Sequence, residues 1–354
     1  MRCLTGERID RVPFGVGLGW FPWGSTLQRW RDESGLPDLD PARHLGYDDG
    51  FRCVSAEYGI LPHFPEAVIA EDALAITRRT KYGIVKRDLK TSDSMAEWLD
   101  YPVHSPAEWE HLKAERLVIG HPGRAALDWE FWRRCDRAGD ALQVGGFPFG
   151  VFGTLRDLLG VETMLVWFYD HPGVIADMMT HLTSVWLSVY EIIAAHVQID
   201  QIHIWEDMSG KQGSLISPAM VNTFMMPCYD RIAAFAKTHG VRTISVDSDG
   251  RCDELVQIMT GHGVNVFYPF EVQAGNDIRA YRQRYPELGI LGGLDKNALA
   301  ADHAAIDREL DKARWMVKRG RYIPGFDHLI PGNVPWANMC YAAERLKEIC
   351  LTPI

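Results

Sequence analysis

A chain of 354 residues, 47% hydrophobic and 24% charged, has the composition of an ordinary globular protein. Its formal net charge of −10 argues against a nucleic-acid or anionic-membrane surface, because both need a basic face. The N-terminus lacks an apolar leader, no uncharged run is apolar enough to span a bilayer, and 7 cysteines without a CxxC pair read as reduced thiols, so a cytoplasmic location is expected.

Val12–Gly19 (VPFGVGLG) reads as a first strand. Trp20, Phe21, Trp23 and Trp30 follow it, mixed with Arg29 and Arg31. Aromatics just past a strand end either pack a core or wall a pocket, so Trp20 and Trp23 are candidate substrate-binding residues. Gly50–Ala56 is a weaker second strand. Glu71–Lys90 alternates in character around a turn at Lys81-Tyr82-Gly83, which predicts a β-hairpin insertion in the N-terminal half. Ser105, Pro106 and Glu108 form a helix start. Ala141–Phe149 is the next strand, and helical spacing covers Thr154–Phe168 and Gly173–His196.

From Ile199 onward the units are regular. Ile199–Asp207, Val241–Val246, Val264–Phe270, Leu288–Leu294 and Tyr322–Phe326 read as strands, each followed by a helical pattern. The helices are expected over Ser217–Thr238, Asp253–Thr260, Asp277–Arg284, Asp302–Lys318 and Trp336–Cys350. About eight strands alternating with helices predict a single-domain α/β chain with the TIM (β/α)8-barrel fold.

Each of these strands carries ionisable groups at or just past its C-terminal end. They are Glu206 and Asp207, Asp247 and Asp249, Glu271, Asp295 and Lys296, then Asp327 and His328. In a barrel such ends meet at one face and carry the chemistry. Crowded carboxylates cannot all stay ionised in a low dielectric. Either some take up protons and act as acids, or a cation neutralises them. Glu206, Asp207, Glu271 and Asp295 are therefore candidate catalytic residues. A mixed set of Asp, Glu and one His suits a divalent metal, and a metal-free acid/base cluster is the other reading. Phe147, Trp205 and Tyr268 interleave with these positions and suit an aromatic or macrocyclic small molecule. No GxGxxG, P-loop or GxSxG spacing occurs.

Seven segments, GERIDRVPF, GVFGTLRDLLGVETM, WEDMSGKQGSLISPAMVNTFMMPCYDRI, SVDSDG, PFEVQAGND, GGLDK and YIPGFDHLIPGNVPWANMCYA, together resemble the uroporphyrinogen decarboxylase superfamily. The resemblance implies a TIM barrel and one of two activities. One is metal-free decarboxylation of uroporphyrinogen. The other is zinc-dependent methyl transfer between a methylated corrinoid protein and a thiol such as coenzyme M, with relatives acting in O-demethylation. The chain departs from both patterns. GWFPWGSTLQRWRDE stands where decarboxylases carry RQAGRY, whose arginines face substrate carboxylates, so the resemblance leaves Arg29 and Arg31 to serve there and makes Arg29 a candidate substrate-binding residue; Asp247 and Asp249 stand where thiol-methylating relatives carry a His and a Cys. The expectation is a methyltransferase or O-demethylase that works with a corrinoid (cobalamin) on a partner protein. In that reading the resemblance makes Asp247, Asp249 and His328, with Glu206 or Glu271 as further candidates, the ligands of a metal such as zinc, which polarises a leaving oxygen while a remaining carboxylate protonates it. Decarboxylation without a cofactor is the alternative, and a non-catalytic corrinoid-protein-binding module is a third. A homodimer is the open assembly.

Overall fold

The computed structural model describes residues 1–90 and 95–352. Contacts divide the chain into two compact units, Arg52–Asp207 with Ile216–Val241, and Met1–Phe51 with Met208–Leu215 and Arg242–Ile354.

The unit that begins at Arg52 contains parallel strands and an antiparallel sheet. Strand β1 (Arg52–Cys53) is followed by β2 (Ala67–Glu71), β3 (Ala75–Arg79), β4 (Val85–Leu89) and β5 (Glu97–Asp100). The last four form a sheet in the order β2-β3-β4-β5, antiparallel throughout. The expected hairpin is its centre, with Gly83 at φ +86° in the turn, and a strand is added on each side. Then come β6 (Leu142–Gly145) and β7 (Gln201–Trp205), which are parallel, β6 also pairing with β1. Between them lie helices Gly153–Leu159, Val161–Asp170 and Pro172–Ala194. The single helix expected over Thr154–Phe168 is broken at Gly160, whose φ of +76° leaves the helical region. The long helix buries Met178, Leu182, Val185, Trp186 and Val189, the stripe its spacing predicts.

The helix expected after Ser217 also forms, and the Ser217 side chain accepts from Met220 N. It carries one π turn, Val221–Met225, before continuing as Met226–Thr238. Pro227 sits at the start of that continuation and has no N–H to give the preceding turn, which accounts for the widened ladder.

In the other unit a short antiparallel pair, β8 (Ser209–Gly210) and β9 (Gly213–Ser214), accompanies parallel strands β10 (Thr243–Asp247), β11 (Val266–Tyr268), β12 (Gly289–Leu291) and β13 (Tyr322–Ile323). Helices Asp253–Met259, Ile278–Arg284, His303–Val317 and Trp336–Leu351 follow these strands, close to the expected bounds. The chain is an α/β protein of the TIM-barrel class with an antiparallel insertion.

Val12–Gly19 is a correction. It forms no strand; bends lead into a 3-10 turn at Leu18–Trp20. Gly15 and Gly17 have φ of +76° and +101°, and a Cβ there would run into Tyr47 and Leu291. Close approach of these neighbours, which only glycine permits, replaces an extended backbone. All seven cysteines are free, and among the described residues no helix is long and apolar enough to cross a membrane.

Candidate active site

The ionisable strand ends fall into two sets, one in each unit. In the unit that begins at Met1, strand β10 ends at Asp247, which is 8% exposed and in register with Tyr268 on β11. Gly250 closes the following turn, and its N–H donates to Glu271 Oε2 at 3.0 Å. Buried Asn276 holds the same two loops from below, donating to the carbonyls of Gly250 (2.8 Å) and Glu271 (2.9 Å). Glu271 is therefore a loop-joining group as well as a strand-end carboxylate.

Lys296 supplies the positive charge of this set. Its Nζ lies 3.5 Å from both Glu271 Oε1 and Asp327 Oδ1. Asp327 is fully buried and accepts the N–H groups of Val272 (2.8 Å) and Lys296 (3.0 Å). Burial pushes the Asp327 carboxyl pKa up, against the opposing pull of Lys296 and the two backbone donors. Asp295 has a local role: its carboxylate accepts from Asn297 N (2.9 Å) and Gln273 (2.9 Å) and caps the 3-10 turn Lys296–Ala300.

His328 Nε2 lies 3.4 Å from Asp249 Oδ2. Burial pulls the imidazole pKa down, but the hydrogen bond and charge of Asp249, with Glu271, outweigh it against Lys296, so the net shift is upward. The pair can hold a proton and release it to a group within reach.

The expected metal triad does not fit this arrangement. Among the described residues no group of three or more His, Cys, Asp and Glu side chains is placed to hold a metal ion. Asp249 and His328 turn toward one another, and the ammonium of Lys296 already occupies the position between Glu271 and Asp327 that a cation would take. Asp247 completes no ligand set with them.

In the unit that begins at Arg52, Glu206 is fully buried. Its carboxylate accepts Val151 N (3.1 Å), Phe152 N (2.7 Å), Gly153 N (3.1 Å) and the Tyr229 hydroxyl (2.6 Å). Burial raises its pKa, and these four donors oppose the rise. Glu206 thus anchors the amino end of helix Gly153–Leu159, with four donors on its carboxylate. Asp207 is different. Its backbone has φ +39°, its carbonyl accepts from Arg156 at 2.7 Å, and its carboxylate pairs with Arg156 at 2.8 Å. The Arg156 guanidinium also lies 4.8 Å from the Trp205 ring, and Phe147 meets Trp205 edge-on at 4.8 Å.

The remaining aromatic and basic candidates separate by burial. Trp20 is fully buried, donates to Pro324 O at 3.0 Å and packs on Phe14, Tyr47 and Phe326, so it is core rather than a substrate contact. Arg29 is tied to Glu33 (2.6 Å) and the Gly332 carbonyl (3.2 Å). Trp23 and Tyr268 are half-buried, whereas Phe147 is 75% exposed. Sequence reasoning missed Arg156, Asp157 and Tyr229. The adjacent pair Arg156-Asp157 in the first helix after β6 was the available signal, since such a helix opens at the strand's C-terminal end.

A profile of the Uroporphyrinogen decarboxylase (URO-D) family matches residues 96–349. Among solved structures, a methyltransferase from Methanosarcina mazei superposes with a TM-score of 0.59 at 14% identity, covering 98% of this chain and 96% of that one. At that identity the likeness is one of fold. No curated protein sequence matches the chain.

Proposed function

The chain belongs to the uroporphyrinogen decarboxylase family, and from that premise we propose that it is a methyltransferase that removes a methyl group from a small O-methylated substrate. The acidic character of the strand ends carries this reading. Asp247, Asp249, Glu271, Asp295 and Asp327 stand at strand ends in one unit, with Lys296 and His328 as the cations among them. Such a set repels a polycarboxylate, and Arg29 is committed to Glu33 rather than open to one. It suits a neutral substrate whose leaving oxygen needs a proton. His328, whose hold on a proton Asp249 strengthens, delivers that proton as the carbon–oxygen bond breaks. The methyl acceptor that accompanies this reading is a corrinoid carried by a partner protein, as in the methyl-transferring members that the chain resembles. The fold likeness to a methyltransferase over nearly the whole chain supports it.

A second reading is decarboxylation, favoured by the same Asp249–His328 pair, which could equally protonate the carbanion that departing carbon dioxide leaves behind. One experiment separates the two. The protein is incubated with a panel of methoxylated compounds and cob(I)alamin, and methylation of the corrinoid is followed by absorbance. Corrinoid methylation that is lost in His328→Gln supports methyl transfer. Release of carbon dioxide from a carboxylated substrate, with no methyl transferred from any compound, sinks it.

A further inference from the structure

The antiparallel insertion, β2 to β5, is a sheet with little to cover it. Of the residues in its four strands Ala75 alone is buried. Val68 is 63% exposed and Trp98 38%, and Ile69, Leu74, Leu89 and Leu99 are exposed as well. A sheet is stabilised by packing an apolar face away from water, and a cluster of exposed apolar side chains marks a surface that meets another molecule. Neither edge is shaped to take a further strand. The register shifts between Val68 and Ala70 on β2, and between Val85 and Lys86 where β4 meets β5. Such bulges turn an edge away from strand addition, which leaves a face.

One face is built of two rows. Val68, Arg78, Lys86 and Trp98 are successive cross-strand partners over β2, β3, β4 and β5, so they project to the same side. Glu71, Ile76 and Asp88 form the next row on that side, because Ile76 lies two residues from Arg78 and Asp88 two from Lys86. The rows run about 7 Å apart. The first is basic between apolar ends, and the second is acidic around Ile76. Two cations and two anions leave the face without net charge, and within it Arg78 and Lys86 pair with Asp88 at 2.7 and 3.1 Å. The chain as a whole carries −10, so two copies repel one another, and a neutral face is where they meet at the least electrostatic cost.

We infer that this face is the contact between two copies of the chain. A two-fold axis parallel to the rows and midway between them turns the basic row of each copy over the acidic row of the other. Lys86 then faces Asp88 of the second copy, and Arg78 stands between its Glu71 and Asp88. Each strand lies across its own counterpart, in the aligned packing that two sheets adopt. Burial of Val68, Ile76 and Trp98 supplies the drive, since exposed ion pairs contribute little and serve to set the register. An unrelated partner would need the two charged rows in the opposite order, whereas a second copy presents them by symmetry. A sheet of four strands with about five residues each spans roughly 19 by 17 Å, the low end of specific interfaces, so the dimer dissociates in the micromolar range.

Sedimentation velocity of the full chain over a concentration series tests it. The expected result is a monomer–dimer equilibrium, weakened roughly tenfold or more in Val68→Lys and in Trp98→Ala. Both side chains are exposed, so their replacement leaves the fold intact, which circular dichroism checks. Lys86→Glu and Asp88→Lys should each weaken association roughly tenfold, because each sets like charges against one another twice across the axis. An equimolar mixture of these two variants should associate again, since one face then carries an excess of anions and the other an excess of cations. A disturbance confined to a single chain is not repaired by mixing. A chain that stays monomeric at every concentration, a dimer unmoved in Val68→Lys, or charge variants that fail to associate when mixed would each overturn the contact.

Discussion

Lys296 Nζ lies 3.5 Å from the Oδ1 of Asp327, a carboxylate with no exposed surface. One ammonium thus serves as the internal counter-ion of a buried acid and, at the same distance, of Glu271.

Removing that counter-ion should be costly. Lys296→Met leaves Asp327 buried without its positive partner, and a loss of about 3 kcal/mol is expected. Asp327 would titrate still higher in the variant, because the charge opposing its burial is gone. The double variant Lys296→Met with Asp327→Asn should recover most of the loss. Urea denaturation of the three proteins measures both effects; a single variant as stable as the parent would show that the pair contributes nothing.

His328 should set the alkaline limb of activity. Its pKa is raised, so the imidazolium is fully present at low pH and is lost as pH rises through the folded value. Methyl transfer should fall along that limb. In Asp249→Asn the partner that raises the pKa is neutral, and the fall should move to lower pH. His328→Gln should lower turnover by roughly 10²–10⁴-fold, the usual worth of a positioned acid. A pH–rate profile identical in the parent and Asp249→Asn would refute the coupling.

Glu206 should act on stability. Glu206→Gln keeps the shape but turns an amide N–H₂ toward a site where all four neighbours donate. At least one buried donor is then left unpaired, at a cost of about 1–3 kcal/mol. Tyr229→Phe removes one donor and leaves the other three in place, so its cost should be smaller. Thermal melts of the two variants rank them; the opposite order would mean that the tyrosine, not the helix end, is the main partner.

Asp157 should make stability fall as pH rises. It faces a cavity of about 30 Å³, lined by Ile60, Tyr82, Ile84, Phe149 and Leu158, and burial raises its pKa to about 6 despite Arg156, with Asp207 adding to the rise. A carboxyl raised in the folded state contributes fully below its unfolded pKa and loses that contribution as pH climbs through the folded value. Stability should therefore drop between pH 4 and pH 7 by an amount on the order of 2–3 kcal/mol. Asp157→Asn should flatten that slope and be the more stable protein at pH 8, as denaturant midpoints across the pH range would show.

Much of the architecture was legible because it rests on local pattern. The strands ending near Asp207, Asp247, Glu271, Asp295 and Asp327 are short apolar runs bounded by turn residues, and each lies within a few residues of its expected place. The helix starts at Ser105 and Ser217 rest on capping chemistry, and each side chain accepts a backbone N–H of the first turn. Val12–Gly19 failed because an apolar run says nothing of where Tyr47 and Leu291 will press against its glycines.

The sequence by itself determined an α/β chain with acidic strand ends, since side-chain period, turn residues and charge are properties of neighbours along the chain. What each end does was decided only in three dimensions. Glu206 and Asp207 are adjacent, yet one is enclosed by the amides of Val151–Gly153, more than fifty positions earlier, and the other is clamped to Arg156. Trp20 and Phe147 both follow apolar runs, yet one is core and the other lies open. Burial and partner choice depend on residues remote in sequence, and they set which carboxylate is structural, which is paired and which can hold a proton.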